Sequence, residues 1–310
     1  MNRFKVLLAG SLDADAERRL AAAAEVVRVA GADEAGLARA VEDCEALIAR
    51  THTRVTRRVL ESGRRLRVVG VAGVGLDNVD FAAAQELGIV VLHTPAAASD
   101  AVAEFAVALM LQLLRPVPGL MAAYRRGEFA EARRAAHGPE LRDLTVGIVG
   151  MGRIGSRVGR ICSAGFGARV LYNDIIDVGP FAFHALPVDK PTLWASSDIV
   201  SLHVPLTEQT RGLVDVEVLS RFRPGARLIN TARGAVVDTE ALLAALQSGR
   251  LAGAALDVTD PEPLPAQHPL FACPNCILTP HVAARSFGGL RRMCDVVDDV
   301  LAFLSAAKAV

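Results

Sequence analysis

The sequence predicts an α/β protein built on parallel sheets. Three observations carry that prediction. Short aliphatic and β-branched runs alternate with longer helix-like stretches along the whole chain, the order that gives crossover-connected parallel strands. The run Leu144-Thr-Val-Gly-Ile-Val-Gly-Met-Gly-Arg-Ile-Gly155 joins an apolar strand to a glycine-rich turn and a helix. In the second half, polar residues recur just after successive strand ends: Asp174, His203, Asn230-Thr-Ala-Arg233, Asp257 and His281. Open parallel sheets bind ligands beyond the carboxyl ends of their strands, so these residues are expected to converge.

The elements follow in order. Strands are predicted at Lys5–Leu8, Val26–Val29, Ala46–Ala49, Arg67–Val71 and Ile89–Leu92. Helices fall between them at Asp13–Ala24, Glu34–Val41, Thr56–Ser62 and Phe81–Glu86. A long apolar helix is expected from Ser99 to Leu114, stopped by Pro116 and Pro118 because proline cannot continue a helix. Residues 119–142 are polar and mixed and read as a connecting arm. A strand over Leu144–Val149 then opens a helix reaching to about Phe166, and Ala168–Asn173 is the next strand. Later strands are predicted at Ile199–Leu202, Arg227–Ile229, Ala254–Leu256 and Ile277–Leu278, with one closing helix after Arg285.

Composition narrows the function. With 310 residues, 52% of them apolar, the chain can bury two domain cores. Lys+Arg and Asp+Glu both number 34, so no net charge favours nucleic acid or an anionic membrane, and neither partner is expected. No apolar run reaches spanning length, and the N-terminal apolar segment is too short for a secretory leader, so a cytoplasmic location is expected. The five scattered cysteines argue against a disulfide framework. Cys273-Pro-Asn-Cys276 has CxxC spacing but runs into a strand and lacks nearby ligands, so no metal site is expected.

Gly150-x-Gly152-x-x-Gly155 after a strand, with Asp174 nineteen residues beyond Gly155, is the context a dinucleotide fingerprint needs. The helix N-terminus presents unpaired N–H groups to a pyrophosphate. A carboxylate at Asp174 accepts from both ribose hydroxyls and repels a 2′-phosphate, which favours NAD over NADP. Arg233 after a strand can grip a carboxylate through two parallel hydrogen bonds. His281 in Leu278-Thr-Pro-His is suited to moving a proton at a carbonyl/alcohol centre. Glu262 can pair with it, with Asp260 a rival for that role. Together these groups describe hydride chemistry on a 2-oxo acid.

Several stretches resemble the D-isomer-specific 2-hydroxyacid dehydrogenases almost end to end. They include Val71-Ala-Gly-Val-Gly-Leu-Asp-Asn-Val-Asp80, His93-Thr-Pro95 with Val102-Ala-Glu104, and Gly147 to Gly155. Ser197 to Thr207, Ile229 to Asp238, Ala254 to Leu264 and Thr279-Pro-His281 complete the set. The phosphoglycerate dehydrogenase branch is the most similar, especially at Gly75-Leu-Asp-Asn-Val-Asp80.

The resemblance implies two Rossmann-like or flavodoxin-like domains with parallel sheets and a cleft between them. The substrate domain would be residues 1–97 plus 285–310, and the NAD-binding domain 98–284. It implies catalytic Arg233, Glu262 and His281. Cofactor contacts would come from Gly150, Gly152, Arg153, Ile154, Gly155, Asp174, His203, Val204, Pro205, Thr231, Ala232 and Asp257, the last holding the nicotinamide amide. Arg50, Val74 and Gly75 would contact substrate. The reaction would be reversible hydride transfer between nicotinamide and C2 of a D-2-hydroxy or 2-oxo acid of the 3-phosphoglycerate, hydroxypyruvate or glyoxylate type. A homodimer built through the arm is expected. The rival from another class is an NAD(H)-sensing, corepressor-like binding protein of the same fold; the intact Arg–Glu–His set favours an enzyme. The chain departs from the family pattern at Arg285-Ser-Phe287, at Gly127-Glu-Phe129 and at His52.

Overall fold

The computed structural model describes residues 3–306, so residues 1–2 and 307–310 of the predicted substrate domain lie outside the described residues. The chain divides into two compact units. One holds the chain through Ser99 and the segment from Ala284 onward; the other runs from Asp100 to Ala283.

In the first unit, β1 (Phe4–Ala9), β2 (Ala24–Val29), β3 (Ala46–Arg50), β4 (Val68–Ala72) and β5 (Val90–His93) form one sheet in the order β2-β1-β3-β4-β5. All its pairings are parallel. Alternation of side chains splits each strand between two cores. Leu7, Ala9, Leu47, Val69 and Val71 pack with helices Glu34–Val41, Arg57–Ser62 and Phe81–Glu86. Val6, Leu8, Ile48 and Val68 pack with Ala14–Ala23 and Val296–Ala306. A parallel sheet covered on both faces needs continuous apolar runs, which is why Lys5–Leu8 and Ala46–Ala49 stood out in the sequence.

The second unit carries β6 (Thr145–Val149), β7 (Arg169–Asn173), β8 (Leu186–Pro187), β9 (Ile199–Leu202), β10 (Ala226–Asn230), β11 (Leu251–Leu256) and β12 (Cys276–Leu278). Their order is β12-β11-β10-β9-β6-β7-β8, again all parallel. The chain works outward from β6 to the edge at β8, then crosses back to lay β9 on the other side of β6. That reversal is the topological switch point of a doubly wound sheet, where ligands bind. Helices Ser99–Leu114 and Arg153–Arg160 cover one face through Ala106, Met110 and Val158. Lys190–Ser196, Val216–Arg221 and Thr239–Gln247 cover the other through Leu193, Leu219 and Leu242.

Aspartates start many of the helices. Asp13, Asp33, Asp80, Asp189, Asp215 and Asp238 each accept a hydrogen bond from a backbone N–H of the first helical turn. Those donors have no partner inside a helix, and each such cap satisfies one of them.

The predicted strands and the helices of the first unit lie within about three residues of their observed positions, and three features differ more. The arm at 119–142 is largely helical, as Val117–Arg125 and Phe129–Ala135. Pro118 sits in the first turn of its helix, where a missing N–H costs nothing. The helix after the glycine turn reaches Phe166 as expected, with its later turns widened into a π helix over Ile161–Gly165. Two helices, Phe287–Cys294 and Val296–Ala306, replace the single closing helix. Edge strand β8 was not anticipated from its two residues. Among the described residues no single helix is long and apolar enough to cross a membrane.

The glycine turn gives a stability test with two arms. A Cβ on Gly155 would lie 2.0 Å from the Gly150 carbonyl oxygen, whereas one on Gly152 meets nothing within 4 Å. Gly155→Ala is expected to lower Tm by roughly 3–10 °C, the equivalent of about 1–3 kcal/mol of overpacking. Gly152→Ala is expected to keep Tm within about 1 °C of wild type, because its methyl group meets open space. Differential scanning fluorimetry separates the two.

Candidate active site

At the switch point β6 and β9 end side by side. β6 runs into Gly150, whose φ of 89° turns the chain into the helix beginning at Arg153. β9 runs into His203, whose N–H donates to the Val149 carbonyl at 2.8 Å. Above these ends opens a cavity of about 570 Å³ lined by Gly150, Gly152, Asp174, His203, Val204 and Pro205 among others. Asp174 is already set in the wall: Oδ2 accepts from the Met151 N–H at 2.6 Å and Oδ1 from the Ile175 N–H at 2.7 Å. Oδ1 also accepts from the Ile176 N–H at 3.3 Å, so it is Oδ2 that keeps a lone pair for a hydroxyl group. Arg153 and Ile154 open the helix, the first exposed and the second half-buried against the core. Lys190, Thr207, Glu208 and Thr210 also line the cavity, and none of them was singled out from the sequence.

Two buried polar atoms of this unit, His203 Nδ1 and Thr231 Oγ1, have no hydrogen-bond partner among the described residues. His203 Nε2 lies 2.9 Å from the Ser201 hydroxyl, and burial pushes the imidazole down to about 4, so the ring is neutral at physiological pH. Buried polar groups are ordinarily paired, so these orphans mark a place for polar ligand atoms. With the open backbone at Gly152, the residues fit a dinucleotide.

The other polar cluster lies at the ends of β10, β11 and β12. Asn230, 1% exposed, donates through Nδ2 to the Arg233 carbonyl at 2.9 Å and accepts through Oδ1 from the Ala232 N–H at 3.0 Å. Its side chain therefore fixes the loop that presents Thr231, Ala232 and Arg233. Arg233 is extended, with Nη1 donating to the Ala232 carbonyl at 2.7 Å. At Gly234 a Cβ would fall 2.0 Å from the Thr259 carbonyl group. Only glycine lets this loop touch the one that carries Glu262.

β11 ends in Asp257, a carboxylate 1% exposed. Oδ1 accepts from the Thr279 hydroxyl at 2.7 Å and the Val282 N–H at 2.9 Å, and Oδ2 from the Ala283 N–H at 2.8 Å. The Asp257 carbonyl accepts from the His281 N–H at 2.9 Å. Asp257 thus clamps both sides of His281, which has a φ of 52°. A non-glycine residue reaches that left-handed region only where its surroundings over-determine it. The His281 ring meets Glu262, with Nδ1 2.7 Å from Oε1. A carboxylate only accepts, so Nδ1 carries the proton and Nε2 is the atom left for chemistry. Of the two acids weighed from sequence, it is Glu262 and not Asp260 that pairs with the ring.

The three residues expected to meet substrate lie in the first unit. Arg50, at the end of β3, has Nη1 3.7 Å from the Cys294 sulfur, and its carbonyl accepts from Asn78 Nδ2 at 3.2 Å. Val74 and Gly75 follow β4; the Val74 carbonyl accepts from His93 Nδ1 at 2.8 Å. Among the described residues their two N–H groups have no partner. Asn230, named among the polar residues after strand ends, was given no positioning role, and Ser201 was missed. A polar residue inside or ending an otherwise aliphatic strand was the available signal.

The profile described as D-isomer specific 2-hydroxyacid dehydrogenase, NAD binding domain, matches residues 107–283. A glyoxylate reductase of Thermofilum pendens is 40% identical over 265 residues, covering 84% of this chain and 78% of that one. A D-3-phosphoglycerate dehydrogenase of Methanocaldococcus jannaschii is 38% identical over 283 residues, covering 90% of this chain but 53% of that one, so this chain spans about half its length. The solved structure of a D-lactate dehydrogenase from Aquifex aeolicus, complexed with NAD and lactic acid, superposes with a TM-score of 0.87 at 29% identity, covering 97% of this chain and 96% of that one. With that profile falling on the unit that carries the glycine turn, Asp174 and the His281–Glu262 pair, the chain belongs to the D-isomer-specific 2-hydroxyacid dehydrogenase family and is an NAD-dependent oxidoreductase.

Proposed function

We propose that the protein interconverts a short D-2-hydroxy acid and its 2-oxo acid, of the glyoxylate, hydroxypyruvate or 3-phosphoglycerate type. The observation that carries this reading is the 2.7 Å pairing of His281 Nδ1 with Glu262 Oε1, on a turn clamped by Asp257. The nicotinamide, when bound, accepts or supplies the hydride at C2. Arg233 holds the substrate carboxylate with its planar fork and places positive charge beside the carbonyl oxygen. His281 Nε2 gives its proton to that oxygen during reduction and takes it back during oxidation. Glu262 holds the proton on Nδ1 and offsets the charge of the imidazolium.

Gly150, Gly152, Arg153, Ile154 and Gly155 are proposed to receive the pyrophosphate, and Asp174 the adenosine ribose. His203, Val204, Pro205, Thr231 and Ala232 are proposed to line the remainder. Asp257 has a lone pair on Oδ2 for the nicotinamide amide besides its structural bonds. In the first unit, Arg50 and the unpaired N–H groups of Val74 and Gly75 are proposed as substrate contacts. We further propose that the chain is a homodimer. Val117, Met121, Tyr124 and Phe129 are 47–65% exposed on two consecutive helices, a run of apolar surface that association would cover.

NADH oxidation measured against glyoxylate, hydroxypyruvate and lactate-series 2-oxo acids, with 3-phosphoglycerate oxidation in reverse, tests the substrate class. Turnover of at least one short 2-oxo acid is expected, with NADH preferred over NADPH by at least tenfold; inertness toward the whole panel would overturn the reading. His281→Asn and Glu262→Gln are expected to lower kcat by about 10²–10⁴-fold and by a smaller factor respectively, while NADH binding by fluorescence titration stays within about threefold. Light scattering is expected to give twice the 32.7 kDa chain mass, and Met121→Asp/Phe129→Asp to shift it toward one chain.

A further inference from the structure

We propose that a cavity at the amino-terminal end of β7 is a second binding site, specific for a small phosphate-bearing anion and separate from the coenzyme site. The cavity measures about 520 Å³, within the range that holds small-molecule ligands. Arg142, Arg169 and His184 line it, together with the hydroxyl-bearing Ser163. Ala168, Val170 and Leu186 supply an apolar wall for a carbon skeleton.

Its charge sets it apart. The coenzyme cavity includes Asp174 and Glu208, the cavity beside β1 and β3 includes Asp33 and Glu34, and the one beside Gly212 includes Asp238, Glu240 and Asp260. No carboxylate lines the β7 cavity. Among the described residues neither Arg142 nor Arg169 has an ion-pair partner, whereas Arg157, Arg221 and Arg223 elsewhere in the same unit each hold an acid. Two forked guanidinium groups with no internal partner, over a hydroxyl and an imidazole, match an oxyanion with several acceptor atoms. A bound phosphate here does not reach the coenzyme. Arg169 begins β7 and Asn173 ends it, so the site lies roughly 16 Å along the chain from Asp174.

The experiment titrates the full chain, saturated with NADH to fill the coenzyme cavity, with inorganic pyrophosphate at fixed ionic strength by calorimetry. Citrate at the same charge and ionic strength is the second arm. Saturable pyrophosphate binding, at least tenfold weaker in Arg142→Ser/Arg169→Ser with NADH affinity and Tm unchanged, is the expected result. Absence of saturable binding, or binding that the double variant retains, would overturn the proposal. Citrate binding as tightly as pyrophosphate would overturn its specificity for phosphate. Arg169→Lys, which keeps charge but loses the fork, is expected to weaken pyrophosphate binding several-fold.

Discussion

The reaction end of the molecule depends on one buried carboxylate. Asp257 reaches across from the end of β11 to bind the two backbone N–H groups after His281 and the Thr279 hydroxyl before it. A carboxylate 1% exposed is costly to bury unless donors engage its oxygens, and here two donors engage Oδ1 and one engages Oδ2. That bonding holds the backbone of His281 in a conformation that most residues avoid. The ring is thereby delivered to Glu262, and the proton on Nδ1 is fixed without any help from substrate.

The coenzyme end rests on a different constraint, the close approach of backbones. His203 donates to Val149, and the Gly150 and Gly155 positions admit no side chain without collision. Gly234 repeats the device at the other end by letting the Arg233 loop touch the Glu262 loop. Polar orphans and packed glycines therefore occur together. Where backbones come this close, there is little room for internal side chains to satisfy His203 Nδ1 or Thr231 Oγ1.

Much of this was legible in the sequence, for physical reasons that also mark the limits. Buried parallel strands require unbroken aliphatic runs, so Lys5–Leu8, Ala46–Ala49 and Ile199–Leu202 announced themselves. The fingerprint residues were legible because a turn against phosphate demands glycine at fixed spacing. The arm was not, since its first helix buries no residue and its apolar side chains Val117, Met121 and Tyr124 face solvent. The choice between Asp260 and Glu262 was open because loop geometry, and not residue type, decides which acid reaches the ring. Asn230 and Ser201 stand out as polar residues in aliphatic strands, but the backbone and ring partners through which they act are set by the fold.

The position of β9 has one more consequence. The wall opposite the glycine turn is built from residues more than fifty places further along the chain, and only the return crossover sets them side by side. A nascent or clipped polypeptide that retains the fingerprint but lacks the returning strand has half a groove. A ligand that needs both walls would thus stabilise only chains in which the returning strand has docked.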